Sequence, residues 1–173
     1  MTTMSPRAAV SRVAARDATR APAPVRPMPL HAMPGHLFRR LHQQGVALFG
    51  QHAGDVGLTP VQYAALHAIG AWPDSDQSTV GRAIACDKAT VGAVVDRLQA
   101  KGLVERIADA SDRRTWRLRA TAEGRAQLER LEPSVAAIQR ALLAPLTEAE
   151  VAQLMTLLGK LVGPLPGAGE DLR

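Results

Sequence analysis

Apolar positions recur at helical spacing over most of this chain, and the spacing breaks where helix-ending residues fall. From His36 to His52, Leu37, Leu41, Val46, Leu48 and Phe49 predict a first helix, ended by Gly54 and Gly57. A second starts at Thr59 as N-cap, with Pro60 in the first helical position and Gln62 at the capping-box position, and runs to about Trp72. Pro73 and Asp74 stop it. Ser78 is then the expected cap of a short helix through Ala85, and Asp87 that of a helix from Lys88 to Lys101, closed by Gly102. In the latter, Val91, Val94, Val95 and Leu98 form one apolar stripe.

The period then changes. L-V-E-R-I-A (103–108) reads as a strand, D-A-S-D-R-R (109–114) as a turn, and T-W-R-L-R-A (115–120) alternates with period two, which predicts a β-hairpin with a charged tip. Thr121 caps a long helix to about Leu143 with an expected kink at Pro133, and Thr147 with Glu150 forms a capping box for a last helix through Val162. The predicted class is mainly α with a small β-hairpin wing: a winged helix-turn-helix with flanking helices. The expected organisation is a disordered basic arm over 1–33, one domain over 34–163 and a flexible tail over 164–173. Within the domain, 58–121 is a lobe, and 34–53 and 122–162 flank it.

Composition agrees with packed helices. Apolar residues are 46% of the 173, but aromatics only 3%, too few for a typical β-sandwich. The net charge of +5 is concentrated in the first 29 residues, where five arginines face one acid, Asp17. That arm is either a nonspecific attractor of phosphate or a solvated tail, and any nucleic-acid surface on the domain depends on local clustering. Cys86 is the only cysteine, which suits a reducing compartment. Neither an 18-residue apolar run nor a secretory pattern is found, so a soluble, cytoplasmic protein is expected.

The helix after Asp87 has the outward face that entering a major groove requires, polar but not bulky. Opposite its valines stand Lys88, Ala89, Thr90, Gly92, Ala93 and Arg97, where small residues allow close approach and Thr90 can bond a base edge or a phosphate. Ser78 is expected at the same surface. Asp112, Arg113 and Arg114 at the hairpin tip are the second expected contact, since arginine suits a narrow, negative minor groove. Asp112 is expected to orient an arginine, with Arg97 a candidate, and Arg106, Arg117 and Arg119 to line the strands towards the backbone. Each motif alone also fits an ordinary charged surface; their combination favours double-stranded DNA.

From Leu58 to Val162 the chain resembles the MarR family of bacterial winged-helix regulators. The resemblance is carried by L-T-P-V-Q-Y-A-A-L (58–66), D-K-A-T-V-G-A-V-V-D-R-L-Q-A-K-G-L-V-E-R (87–106), D-R-R (112–114), L-R-A-T-A-E-G (118–124) and L-L-A-P-L-T-E-A-E (142–150). It implies a homodimer held by the first and last helices, each subunit on one half-site of a palindromic operator, and repression relieved by a small, often aromatic, ligand. P-G-H-L-F-R-R-L-H-Q-Q (34–44) is similar to the opening helix of regulators of aromatic-acid catabolism, nicotinate-pathway repressors included.

For such an effector the candidates are two i, i+4 pairs, His36 with Arg40 and Tyr63 with His67. An arginine can clamp a carboxylate and the rings can wall an aromatic acid; packing and surface roles are the plain alternative. Cys86, just before a helix start, is either an activated thiol or a small buried turn residue. No metal-ligand spacing, nucleophile elbow or phosphate loop occurs, so no metal, cofactor or enzymatic activity is expected. A protein-binding adaptor of the same shape is the rival to a DNA-binding regulator.

Overall fold

The computed structural model describes residues 28–109 and 115–163. The chain falls into two units, Met1–Arg40 and Leu41–Arg173. The elements in order are α1 (Pro34–Ala53), α2 (Pro60–Ala71), β1 (Ser75–Asp76), α3 (Gln77–Ala83), α4 (Lys88–Ala100), β2 (Val104–Ala108), β3 (Trp116–Ala120), α5 (Ala122–Leu143) and α6 (Glu148–Val162).

The caps explain most boundaries. Thr59 and Gln62 close a reciprocal capping box on α2, and Thr147 and Glu150 do the same on α6. Thr121 accepts from the Gly124 N–H at the start of α5. Helix α4 ends in a Schellman motif: Gly102 at φ 70° donates to the Gln99 carbonyl and Leu103 to the Leu98 carbonyl. Pro133 lies inside α5 without ending it.

Two local expectations are corrected. Asp76, not Ser78, caps α3, its carboxylate accepting from the Thr79 N–H at 2.7 Å. Both residue types cap well, and Asp76 prevails because its backbone is held extended by pairing with β3. That pairing also makes the sheet three-stranded, in the order β1-β3-β2, rather than a plain hairpin. The intervening Asp74 takes a left-handed φ of 64°, donates its N–H to the Leu118 carbonyl and thereby turns the chain from α2 onto the sheet.

The core of the second unit gathers Leu66 and Ile69 of α2, Val80 of α3, the whole valine–leucine stripe of α4, Leu103, Val104, Leu118, and Leu131 and Ile138 of α5. Gly124 lets the start of α5 approach the Leu103 carbonyl more closely than any side chain permits. Helix α4 is thus clamped on its apolar side, and its other side faces solvent.

Candidate nucleic-acid interface

On the solvent face of α4, Lys88, Ala89, Thr90, Ala93 and Arg97 are exposed and Gly92 is half-buried. Gly92 lies against Gln77, whose Nε2 would stand 3.2 Å from an added Cβ. Ser78 is exposed in the first turn of α3, near the same surface. Among the described residues neither Lys88 nor Arg97 forms an ion pair, so both charges face water.

Thr90 departs from its expected freedom. Its N–H donates to one Asp87 carboxylate oxygen at 2.8 Å and its hydroxyl to the other at 3.0 Å. These bonds, the backbone one foremost, hold the Asp87 carboxyl below its ordinary pKa, so the α4 cap is ionised at neutral pH. The acid at the head of the helix is therefore spent internally, and Thr90 retains its methyl and its acceptor lone pairs for an outside partner.

The strand arginines are also corrected. Arg106 bonds Asp96 of α4 at 2.5 Å and Gln99 at 2.7 Å. Arg117 pairs with the nearly buried Asp109, and Arg119 with both oxygens of Asp74 at 2.7 and 2.8 Å. The hydrogen bonds to these acids raise the pKa of Arg117 and Arg119. Arg106 ties the sheet to α4, Arg119 ties it to the turn before β1, and Arg117 bridges the two strands of the hairpin, so none of the three is left as a free basic edge. Sequence spacing missed this because the acids lie up to 45 positions away. The tip residues Asp112, Arg113 and Arg114, and the expected Asp112–Arg97 contact, lie outside the described residues.

A cleft of about 490 Å³ opens between α3, the start of α4 and β3, with Gln77, Ser78, Arg82, Lys88 and Trp116 among its walls. Trp116 enters the strand alternation, but neither it nor Arg82 is among the expected site residues. Cys86 also borders it, half-buried rather than buried, and burial together with the Asp87 charge pushes its thiol pKa up. An activated thiolate at the head of α4 is therefore not supported, because Asp87 opposes the second negative charge.

Of the effector candidates, His36 is half-buried and Arg40 exposed in the first unit. In the second, Tyr63 and His67 are neighbours with ring centroids 5.8 Å apart, and Phe49 of α1 adds a third ring 6.0 Å from Tyr63. Burial, with a lesser push from Glu132, raises the Tyr63 pKa, so its phenol stays protonated as a donor. No group of three or more possible metal ligands occurs among the described residues, and no single helix there is long and apolar enough to cross a membrane.

Comparison with known proteins agrees with this arrangement. The MarR family model matches residues 56–115. The transcriptional repressor NicR of Pseudomonas putida is 33% identical over 135 residues, covering 78% of this chain and 85% of NicR. The structure of Bordetella bronchiseptica BpsR, whose DNA binding is regulated by 6-hydroxynicotinic acid, is 33% identical with a TM-score of 0.75, covering 80% of this chain and 99% of that one. Streptomyces coelicolor PcaV, solved in complex with its natural ligand, is 36% identical with a TM-score of 0.73, over 79% of this chain and 96% of PcaV. With a helix-turn-helix, a three-stranded wing sheet and relatives of this kind, the chain belongs to the MarR family of winged-helix transcriptional regulators.

Proposed function

We propose that this regulator is a repressor that binds a palindromic duplex operator as a homodimer and is released by a small aromatic acid. The observation that carries the DNA-binding part is the exposed face of α4, where two cations without an ion pair among the described residues flank small side chains while the nearby acids Asp87 and Asp96 are bonded internally. Lys88, Arg97 and the tip arginines Arg113 and Arg114 hold phosphates and the flanking groove. Ala89, Thr90, Gly92 and Ala93 face base edges, Ser78 adds a backbone contact, and Asp112 orients an arginine. The partner requires a compartment that holds DNA, the cytoplasm.

Homodimerisation is supported by apolar side chains that the single chain leaves in water: Leu37, Phe38, Leu41 and Val46 on α1, and Met155, Leu157, Leu161 and Val162 on α6. The effector reading is supported by BpsR, whose DNA binding is regulated by 6-hydroxynicotinic acid, and by the Phe49–Tyr63–His67 row of rings in the second unit; His36 and Arg40 of the first unit are a separate candidate pair for an acid group.

Fluorescence anisotropy with duplex from the protein's own promoter region tests the reading. Binding should weaken linearly in log salt, and Arg97→Ala should reduce that slope by about 1. Thr90→Ala should shift sequence preference more than overall affinity. A slope near zero, or equal and negligible effects of both substitutions, overturns it. Added 6-hydroxynicotinic acid or hydroxybenzoates should release the duplex and raise the melting temperature of the free protein. If none does either, the effector part is wrong.

A further inference from the structure

We propose that the cleft between α3, the start of α4 and β3 seats a stretch of the operator's sugar–phosphate backbone, with Trp116 against a deoxyribose and Arg82 on a phosphate. This rests on the DNA-binding reading above and extends it to two residues outside the recognition face and the hairpin tip.

Trp116 is the first residue of β3 and is 51% exposed, whereas Leu118, two positions on along the same face, is 1% exposed. The strand's inward face therefore reaches the core only from Leu118 onward, and Trp116 projects past its edge opposite the exposed Ala108. Folding does not need a tryptophan there, yet a large ring is held beside a cleft whose other walls mix polar side chains with Val91, Gly81 and Cys86. Its walls include Gln77, Ser78, Lys88 and Arg82. Arg82 is exposed and, among the described residues, makes one long bond to the Thr79 hydroxyl at 3.3 Å and no ion pair. The wall's one acid, Asp76, is engaged by the Thr79 N–H.

An aromatic face beside unpaired cations selects a ligand with an apolar surface and an anionic group in close succession. The duplex backbone has both in every nucleotide, a deoxyribose ring and a phosphate. Position argues the same way. With α4 in the major groove and the hairpin reaching the adjoining minor groove, the strand that separates the two grooves has to cross the surface between α4 and β3, which is this cleft. The ring then loses water against the sugar while the arginine displaces counterions.

Anisotropy titrations over a range of salt, on operator and on unrelated duplex, separate the two roles. Arg82→Gln should weaken both duplexes alike and flatten the slope of log K against log salt by about 0.9. Trp116→Ala should weaken both by about tenfold, equivalent to roughly 55 Å² of lost apolar burial, with the slope unchanged. Trp116→Phe should recover part of that loss. Trp72→Phe leaves Trp116 as the single tryptophan, and saturating duplex should shield it from acrylamide quenching; should that variant not fold, the difference between wild type and Trp116→Phe gives the same signal. Wild-type binding with unchanged affinity and slope in Arg82→Gln and Trp116→Ala, or unchanged quenching in the complex, overturns the proposal. So does shielding by 6-hydroxynicotinic acid but not by duplex, which makes the cleft a small-molecule site. Failure of the wild type to bind any duplex sinks the DNA-binding reading itself, and this inference with it.

Discussion

At Gly124 an added Cβ would stand 2.1 Å from the Leu103 carbonyl oxygen, and that oxygen already accepts from the Thr121 N–H. The obstacle is backbone on both sides, so no rotamer relieves it. Gly124→Ala should cost about 3 kcal/mol or more, read as a loss of urea midpoint at unchanged m-value; a change within 0.5 kcal/mol, roughly the spread of surface substitutions, contradicts the close approach. Asp87 sets a pH dependence. Its folded pKa is depressed by the Thr90 bonds, so its contribution is complete above the ordinary aspartate value and fades as acid takes the pH down through the folded value. Asp87→Asn keeps a capping oxygen and should remove this part of the acid dependence while leaving neutral-pH melting close to wild type. Acid melting curves that superimpose would contradict the assignment.

The α4 helix was legible as an element because its three signals agree: an Asp cap, an apolar i, i+3, i+4, i+7 stripe and a C′ glycine. The buried stripe holds the helix in place, and Leu98, with no exposure, is its deepest member together with Val95. Leu98→Ala should cost about 2–5 kcal/mol and lower the melting temperature accordingly; a loss well under 1 kcal/mol would mean that the stripe is not the anchor. Strand β1 was not legible. Its two residues carry no periodicity, and only pairing with Leu118 and Arg117 makes them a strand. The same limit applies to Arg106, Arg117 and Arg119, which look like a basic strand edge until Asp96, Asp109 and Asp74 are brought beside them.

At the scale of the molecule, apolar side chains remain uncovered on α6, where Met155, Leu157, Leu161 and Val162 are all exposed while α5 is anchored through Leu131 and Ile138. If a second copy covers them, Leu157→Glu should shift sedimentation from dimer to monomer and weaken operator binding, because one subunit alone engages one half-site. A variant that remains dimeric would place the interface elsewhere. The effector candidates illustrate the difference between spacing and convergence: Tyr63 and His67 were found from an i, i+4 interval, but Phe49 joins them from another helix 14 residues earlier, where spacing carries no signal.

Local chemistry determined the class of fold, the order of its helices, the hairpin and the face of α4 that stays in water, because caps, glycines and apolar periods act within a few residues of one another. Tertiary packing alone decided which charges remain available. It bonded Arg119 to an acid 45 positions away, set Arg106 and Arg117 on acids of neighbouring segments, and left Arg82 and Trp116 open beside Lys88 in one cleft. Charge pairing depends on distances of a few ångströms between segments that the order of residues does not by itself bring together.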